Sequence, residues 1–184
     1  MTDFPSATIL GYPRIGRRRE LKRAVEAYWA GRIDAPALEA AAADSRRAVR
    51  ARLAELGLGR DDSAIPESFS FYDHVLDTAL AIGAVPARFG DLSATDAAGR
   101  LDALFTLARG SATEPPLEMT KWFDSNYHYL VPEIDEGRAF RADAGRLVDL
   151  VREAAEDGFR TRPVLVGPVT LLALAKPARG AAPG

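Results

Sequence analysis

Apolar positions along the chain fall into short runs cut by glycine and proline, and into longer stretches at three- and four-residue spacing. Ala7-Thr-Ile-Leu10, stopped by Gly11 and Pro13, reads as a buried strand entering a tight loop. From about Arg18 the period becomes helical: Leu21, Val25, Tyr28 and Trp29 share one face, and Gly31 ends the segment. Asp34 with Pro36 opens a second helix reaching about Leu56, stopped by Gly57 and Gly59. Its alanines and many arginines suggest a long surface helix packed antiparallel on the first. Residues 64–69 read as a second strand, followed by a helix capped by Ser70 or Asp73 and ended at Gly83. Residues 95–108, closed by Gly110, form another helix, and residues 117–121 a third strand leading into an aromatic loop, 122–129. Residues 141–157 make an amphipathic helix through Leu147, Leu150, Val151 and Ala154. Residues 163–166 then give a fourth strand and residues 169–176 a last helix.

This repeated strand, loop and helix order implies an α/β fold with a parallel sheet covered by helices. Four such units, with a long helical hairpin inserted after the first strand, amount to half of an eight-stranded barrel or a small open sheet. In such folds the carboxyl ends of the strands build the site, and here glycine, proline and polar residues cluster there. The closing stretch, residues 177–184, reads as a loop or linker cut short rather than a packed end.

Composition narrows the chemistry. The chain of 184 residues has no Cys and only two His, which excludes disulfides, thiolate metal sites and Cys nucleophiles. No apolar run approaches the ~18–20 residues of a membrane span, and no signal-peptide pattern opens the chain, so a cytoplasmic domain is expected. A net charge of −2 argues against general nucleic-acid binding. Against that background, six cations (Arg14, Arg17, Arg18, Arg19, Lys22 and Arg23) crowd around a single acid, Glu20. A basic knot in an otherwise acidic chain suggests a local anion site, although a solvated helix end would look the same. Arg19 and Lys22 share one face at the helix start. Cations there oppose the helix dipole unless an anion binds to the free N–H groups.

A second cluster, residues 118–129, mixes charge, amide, phenol, indole and imidazole just after a strand and reads as a site or a rigid polar core. Within it His128 lacks a local nucleophile and suits a structural role, while Asp124 fits a helix cap as readily as a site carboxylate. Asn126 gains no role beyond lining the strand exit. Lys121 stands out because the chain keeps only three Lys beside 21 Arg, and two of those Lys lie in the two suspicious motifs. Asp73 and Asp77, four apart, are explained by capping and exposure, and Thr170 by capping the last helix. No nucleotide-binding glycine fingerprint, phosphate loop, nucleophile elbow or metal-ligand spacing is present, so no catalytic residue is assigned.

Several of these motifs occur together and in order: Gly11-Tyr-Pro-Arg-Ile-Gly16, Arg19-Glu-Leu-Lys22, Tyr28-Trp-Ala-Gly31, Tyr72-Asp-His-Val-Leu-Asp77, Met119-Thr-Lys-Trp-Phe-Asp124, Asn126-Tyr-His-Tyr129 and Pro163-Val-Leu-Val-Gly-Pro-Val-Thr170. The set resembles the N-terminal region of the cobalamin-independent methionine synthase family. That resemblance implies a partial (β/α)8 TIM-type barrel over residues 1–176 of a longer protein with two facing barrels. It implies transfer of the methyl group of 5-methyltetrahydropteroyltri-L-glutamate to homocysteine, without cobalamin. It also implies a zinc held by His, Cys, Glu and Cys in the other barrel, ligands this chain cannot supply. By motif correspondence the folate-contacting residues are Arg19, Glu20, Leu21, Lys22 and Lys121. The expectations are therefore an N-terminal portion that helps bind the folate polyglutamate tail and is inactive alone. The alternatives are a non-catalytic folate-polyglutamate-binding or interaction module, or a relative acting on another methyl donor.

Overall fold

The computed structural model describes residues 4–92 and 96–178. In chain order the elements are α1 (Glu20–Trp29), α2 (Ala35–Glu55), β1 (Pro66–Glu67), α3 (His74–Ala81), a 3-10 turn (Ala87–Phe89), α4 (Ala97–Arg109), β2 (Met119–Lys121), β3 (His128–Leu130), β4 (Glu133–Ile134), α5 (Gly145–Glu156), β5 (Arg162–Pro163), α6 (Pro168–Leu174) and β6 (Lys176–Pro177). They divide into two compact units, residues 1–71 with 144–164, and residues 72–143 with 165–184. No helix among the described residues is long and apolar enough to cross a membrane.

In the first unit α1 packs on α2, burying Leu21 and Val25 against a face that includes Leu38 and Ala42. Asp34 caps α2 by accepting from the Ala37 N–H at 2.9 Å, as its position before Pro36 suggests. β1 and β5 pair in parallel, Pro66 opposite Arg162 and Glu67 opposite Pro163. Leu53, Ile65, Ala154 and Phe159 form the adjoining core, with Ile9, Val49, Ala54 and Leu58 packed around it. The strand expected at residues 7–10 is absent. Leu10 is 81 % exposed, so the run is not buried on both faces. It is tied down by side chains instead of a ladder: the Thr8 hydroxyl donates to the Ala64 carbonyl at 2.6 Å, and Arg162 Nη2 donates to the Ile9 carbonyl at 3.0 Å. The fourth expected strand shrinks to the two residues of β5, and Leu165 beyond it is exposed.

In the second unit Asp73 caps α3 and Asp96 caps α4, accepting from Leu76 at 2.8 Å and Gly99 at 2.7 Å. Thr95, where α4 was expected to begin, lies outside the described residues. β4 and β6 pair in parallel, but β2 and β3 are antiparallel, with Lys121 opposite His128. The expectation of an all-parallel sheet fails at this pair. Only residues 122–127 join the two strands, and a parallel crossover needs about a dozen or more. The aromatic loop is thus shorter than expected, because His128 and Tyr129 belong to a strand. Val75, Tyr129, Val131 and Leu171 form this unit's core cluster. The segment before α5 is also not helical from Arg141. The Arg141 and Asp143 N–H groups donate to Ile82 and Ala81 at the end of α3 instead. The described architecture is mixed α/β, six α-helices with three two-stranded pairings and no closed barrel.

Candidate functional site

The basic knot folds as a tight loop running into α1. Gly16 sits at φ 82°, a left-handed conformation that favours glycine. The Glu20 carboxylate turns back over the loop and accepts from the Arg18 N–H at 2.9 Å. Backbone N–H groups of Glu20 and Arg18 hold its carboxyl below the ordinary glutamate range. Arg23 Nη2 donates to the Arg18 carbonyl at 2.7 Å, closing the turn from the other side.

Arg19 is the N-cap of α1 and adopts a left-handed conformation, φ 62° and ψ 38°, with no side-chain cap hydrogen bond. That conformation costs a non-glycine residue ~1–3 kcal/mol and is concentrated at functional positions. The contrast within the chain is sharp, since α2, α3 and α4 each begin with an Asp that caps them. Arg17, Arg18, Arg19 and Lys22 are all exposed. Lys22 pairs with Glu26 at 3.2 Å, both roughly half exposed, an arrangement worth only ~0–1 kcal/mol. Leu21 is 2 % exposed, so its side chain anchors α1 in the core and only its backbone reaches the loop.

Lys121 belongs to the second unit. It is exposed at the end of β2, beside a hairpin tip shaped by Ser125. The Ser125 hydroxyl donates to the Trp122 carbonyl at 2.6 Å and accepts from the Tyr127 N–H at 3.2 Å. Trp122 stacks edge-on against Phe123, Tyr127 and Tyr129. This aromatic packing, rather than a polar core, organises the segment. Asp124 caps no helix, and Asn126 is exposed at the tip, its carbonyl 3.0 Å from His128 Nδ1. His128 is exposed too, and Thr170 lies inside α6, whose N-cap is Gly167. Asp73, read as a cap, does that and more. It is fully buried and also accepts from the Leu130 N–H at 3.1 Å, joining α3 to β3. Burial pushes its carboxyl up, while the N–H groups of Leu76, Leu130 and Val75 hold it down in part.

The sequence reading missed a buried ionic network in the first unit. Arg46 and Arg50 on α2 are 6 % and 2 % exposed. Glu153 accepts from Arg46 Nε at 3.1 Å and Nη2 at 2.5 Å, and from Arg50 Nη2 at 2.8 Å. Arg50 also reaches Asp157 at 2.5 Å and Glu67, at the end of β1, at 3.4 Å. The signal was available: Leu38, Ala42, Arg46 and Arg50 continue one buried face at four-residue spacing, so two arginines occupy core positions. Burial raises the Glu153 carboxyl, but the hydrogen bonds from Arg46 and Arg50 outweigh it, leaving Glu153 below its ordinary value. At Glu67 burial dominates over the attraction of Arg50 and Arg46, and its carboxyl sits above its ordinary value.

These opposite shifts set a pH prediction. A carboxyl raised on folding contributes most below its ordinary value, near 4.5, and that contribution is lost as pH rises through the folded value. Glu67→Gln removes this loss without touching Glu153. The melting temperature of the variant relative to the wild type should therefore climb between about pH 4 and pH 7. A flat or falling difference across that range contradicts the assignment.

The residues do not fit the zinc that the resemblance implies. Cys is absent from the sequence, and no group of three or more His, Cys, Asp or Glu side chains among the described residues is placed to hold a metal ion.

Comparison with known proteins completes the picture. Residues 6–183 match the family described as cobalamin-independent synthase, N-terminal domain. A protein of Streptomyces coelicolor named 5-methyltetrahydropteroyltriglutamate–homocysteine methyltransferase is 53 % identical over 95 % of this chain and 22 % of its own length. Proteins of the same name from Rhodococcus jostii and Mycobacterium leprae are each 49 % identical, over 100 % and 97 % of this chain and 23 % and 22 % of their own lengths. The chain thus spans less than a quarter of the curated relatives it matches. Over nearly all of its residues, the chain belongs to the family of the cobalamin-independent synthase N-terminal domain.

Proposed function

We propose that the chain serves as the N-terminal part of a methyltransferase. That enzyme moves the methyl group of 5-methyltetrahydropteroyltri-L-glutamate to L-homocysteine, giving L-methionine, in the cytoplasm and without cobalamin. Family membership and the relatives' name support this reading. The two parallel pairings, β1 with β5 and β4 with β6, are compatible with part of a (β/α)8 barrel.

The chain's own share, in this reading, is to hold the acidic glutamate tail. The observation that carries it is the start of α1, where exposed Arg19 caps the helix in a left-handed conformation and Lys22 follows one turn on. Cations in that place are favourable when carboxylates occupy it, because the helix dipole also attracts the anion. Arg19 supplies a fork of donors and Lys22 a point charge, which exchanges its weak pair with Glu26 for a glutamyl carboxylate. Lys121 in the second unit is a further partner for the tail, exposed and with no ion pair among the described residues. Glu20 keeps the loop in shape through Arg18, and Leu21 fixes the helix. No residue of the chain makes or breaks the methyl bond: the zinc of the resemblance would activate the homocysteine thiol, and its donor set is not found here.

Two outcomes follow. The 184-residue chain, supplied with homocysteine, methylfolate and zinc, should form no methionine. In calorimetry with the triglutamate, the Lys22→Ala, Lys121→Ala double variant should bind about tenfold more weakly than the wild type, from two exposed pairs of ~0–1 kcal/mol each. Unchanged affinity in the double variant overturns the tail reading. Binding that is independent of the tail favours a module holding the pterin end instead.

A further inference from the structure

In the hairpin of the second unit, Lys121 on β2 stands directly opposite His128 on β3. The next pair towards the tip is hydrogen-bonded, the Trp122 N–H donating to the Tyr127 carbonyl at 2.7 Å. At the other end the Val131 N–H donates to the Glu118 carbonyl at 2.8 Å. Alternation along an antiparallel ladder then makes Lys121 and His128 a non-hydrogen-bonded pair, the class whose side chains lie closest. Trp122 packs against Tyr127 and Tyr129 on one face of the hairpin, and the pleat puts Lys121 and His128 on the other, where both are exposed.

The imidazole is oriented. The Asn126 carbonyl lies 3.0 Å from His128 Nδ1 and can only accept, so Nδ1 carries the hydrogen and Nε2 is the nitrogen left over. The tip that supplies this carbonyl is itself tied, through the Ser125 hydroxyl, to the Trp122 carbonyl and the Tyr127 N–H. Once protonated, Nε2 becomes a second donor beside the Lys121 ammonium. Like charges directly opposite each other weaken a hairpin unless an anion lies between them. No carboxylate of the fold takes that place. Asp73, the cap of α3, is spent on the Leu76 and Leu130 N–H groups, and Glu118 pairs with Lys176 at 2.5 Å. Of the elements packed on β3, α3 carries His74 and Asp77, while α6, which supplies Leu171 to the core around Tyr129, carries no ionisable group. Neither these groups nor Asp124 in the loop forms an ion pair with Lys121 or His128 among the described residues. Phe123 at the tip holds a left-handed conformation, φ 51°, with its ring 73 % exposed, and strain of this kind concentrates at binding sites.

We propose that His128 is a further binding residue for the glutamate tail, its protonated imidazole sharing one glutamyl carboxylate with the Lys121 ammonium. The two donors suit the two oxygens of a single carboxylate. This rests on the tail reading and adds a pH dependence to it. Imidazole changes charge between about pH 5 and pH 8, and glutamyl carboxylates are ionised from about pH 6 upward. The bound carboxylate favours the protonated ring, so the hold on the tail strengthens as pH falls through that range.

The test is calorimetric titration of the full chain with 5-methyltetrahydrofolate carrying one or three glutamates, at about pH 6 and about pH 8. Taking the ratio of the two affinities cancels effects of pH on the pterin end. In the wild type the advantage of the triglutamate should be about threefold larger at the lower pH. His128→Gln keeps a polar side chain without the charge, and its triglutamate advantage should be the same at both. The chain has only two His, so their imidazole signals are readily separated by NMR. Those of His128 should report protonation at a higher pH with the triglutamate than without it. A triglutamate advantage equal at both pH values in the wild type, a pH effect that survives in His128→Gln, or a change at His74 in place of His128 overturns this inference and leaves the tail reading standing. Equal affinity for the two ligands at both pH values overturns both.

Discussion

Arg50→Ala is expected to remove about 3–5 kcal/mol of stability, the largest effect of any single substitution considered for this chain. Arg50 is 2 % exposed and joins Glu67, Glu153 and Asp157. Its removal strands Glu67 without its nearest cation, inside the fold, where a lone carboxylate is costly. Denaturant melts should show the loss as a lower midpoint at unchanged slope. If the network behaves as a unit, Glu67→Ala added to Arg50→Ala restores part of it, because no carboxyl then remains unpaired at that end. Additive losses contradict the coupling. The Arg50 guanidinium itself is held charged despite its burial, which opposes the charge, by hydrogen bonds to Glu153 and Asp157.

Asp73→Ala comes next, with an expected loss of about 2–4 kcal/mol. The carboxylate accepts from Leu76 at the start of α3 and from Leu130 in β3, both bonds buried. An N-cap is worth ~0.5–2 kcal/mol, and a buried N–H left without a partner ~1–3 kcal/mol. Asp73→Asn keeps an acceptor oxygen and the shape of the side chain, so it should cost about half as much or less. Because Leu130 pairs with Met119 across the hairpin, hydrogen exchange at β2 and β3, the strands next to Lys121, should speed up in the Ala variant more than at α4. Equal acceleration throughout the second unit contradicts a local tie between α3 and β3.

The helices were legible because their signals are local. Asp34 and Asp73 act as caps, and Gly31, Gly57, Gly83 and Gly110 follow helix ends at positive φ, whereas the Asp96 cap of α4 went unread. Strands were less legible because their pairing depends on distant residues. Nothing near Ala7 reveals that Thr8 and Ile9 are held by Ala64 and Arg162. The short connection at residues 122–127 did carry the information for a hairpin, and reading those aromatics as a polar site obscured it. Lys176 and Pro177 pair with β4, a long-range contact that no local pattern announces.

The candidate site divides in the same way. Charge density singled out residues 14–23 directly, and the structure adds the left-handed N-cap at Arg19 and a left-handed glycine at position 16. Arg46 and Arg50 escaped because arginine on a helix is ordinarily a surface residue, and their carboxylates lie 17 to 107 positions away. Their four-residue step from Leu38 and Ala42 was the clue.

The central claim is that the chain's cations serve the polyglutamate tail. It is tested most directly by calorimetric titration of the 184-residue chain with 5-methyltetrahydrofolate carrying one or three glutamates, at low and at physiological salt. The triglutamate should bind about tenfold more tightly at low salt, with the advantage shrinking as salt rises. Equal affinity for the two ligands at low salt contradicts the account.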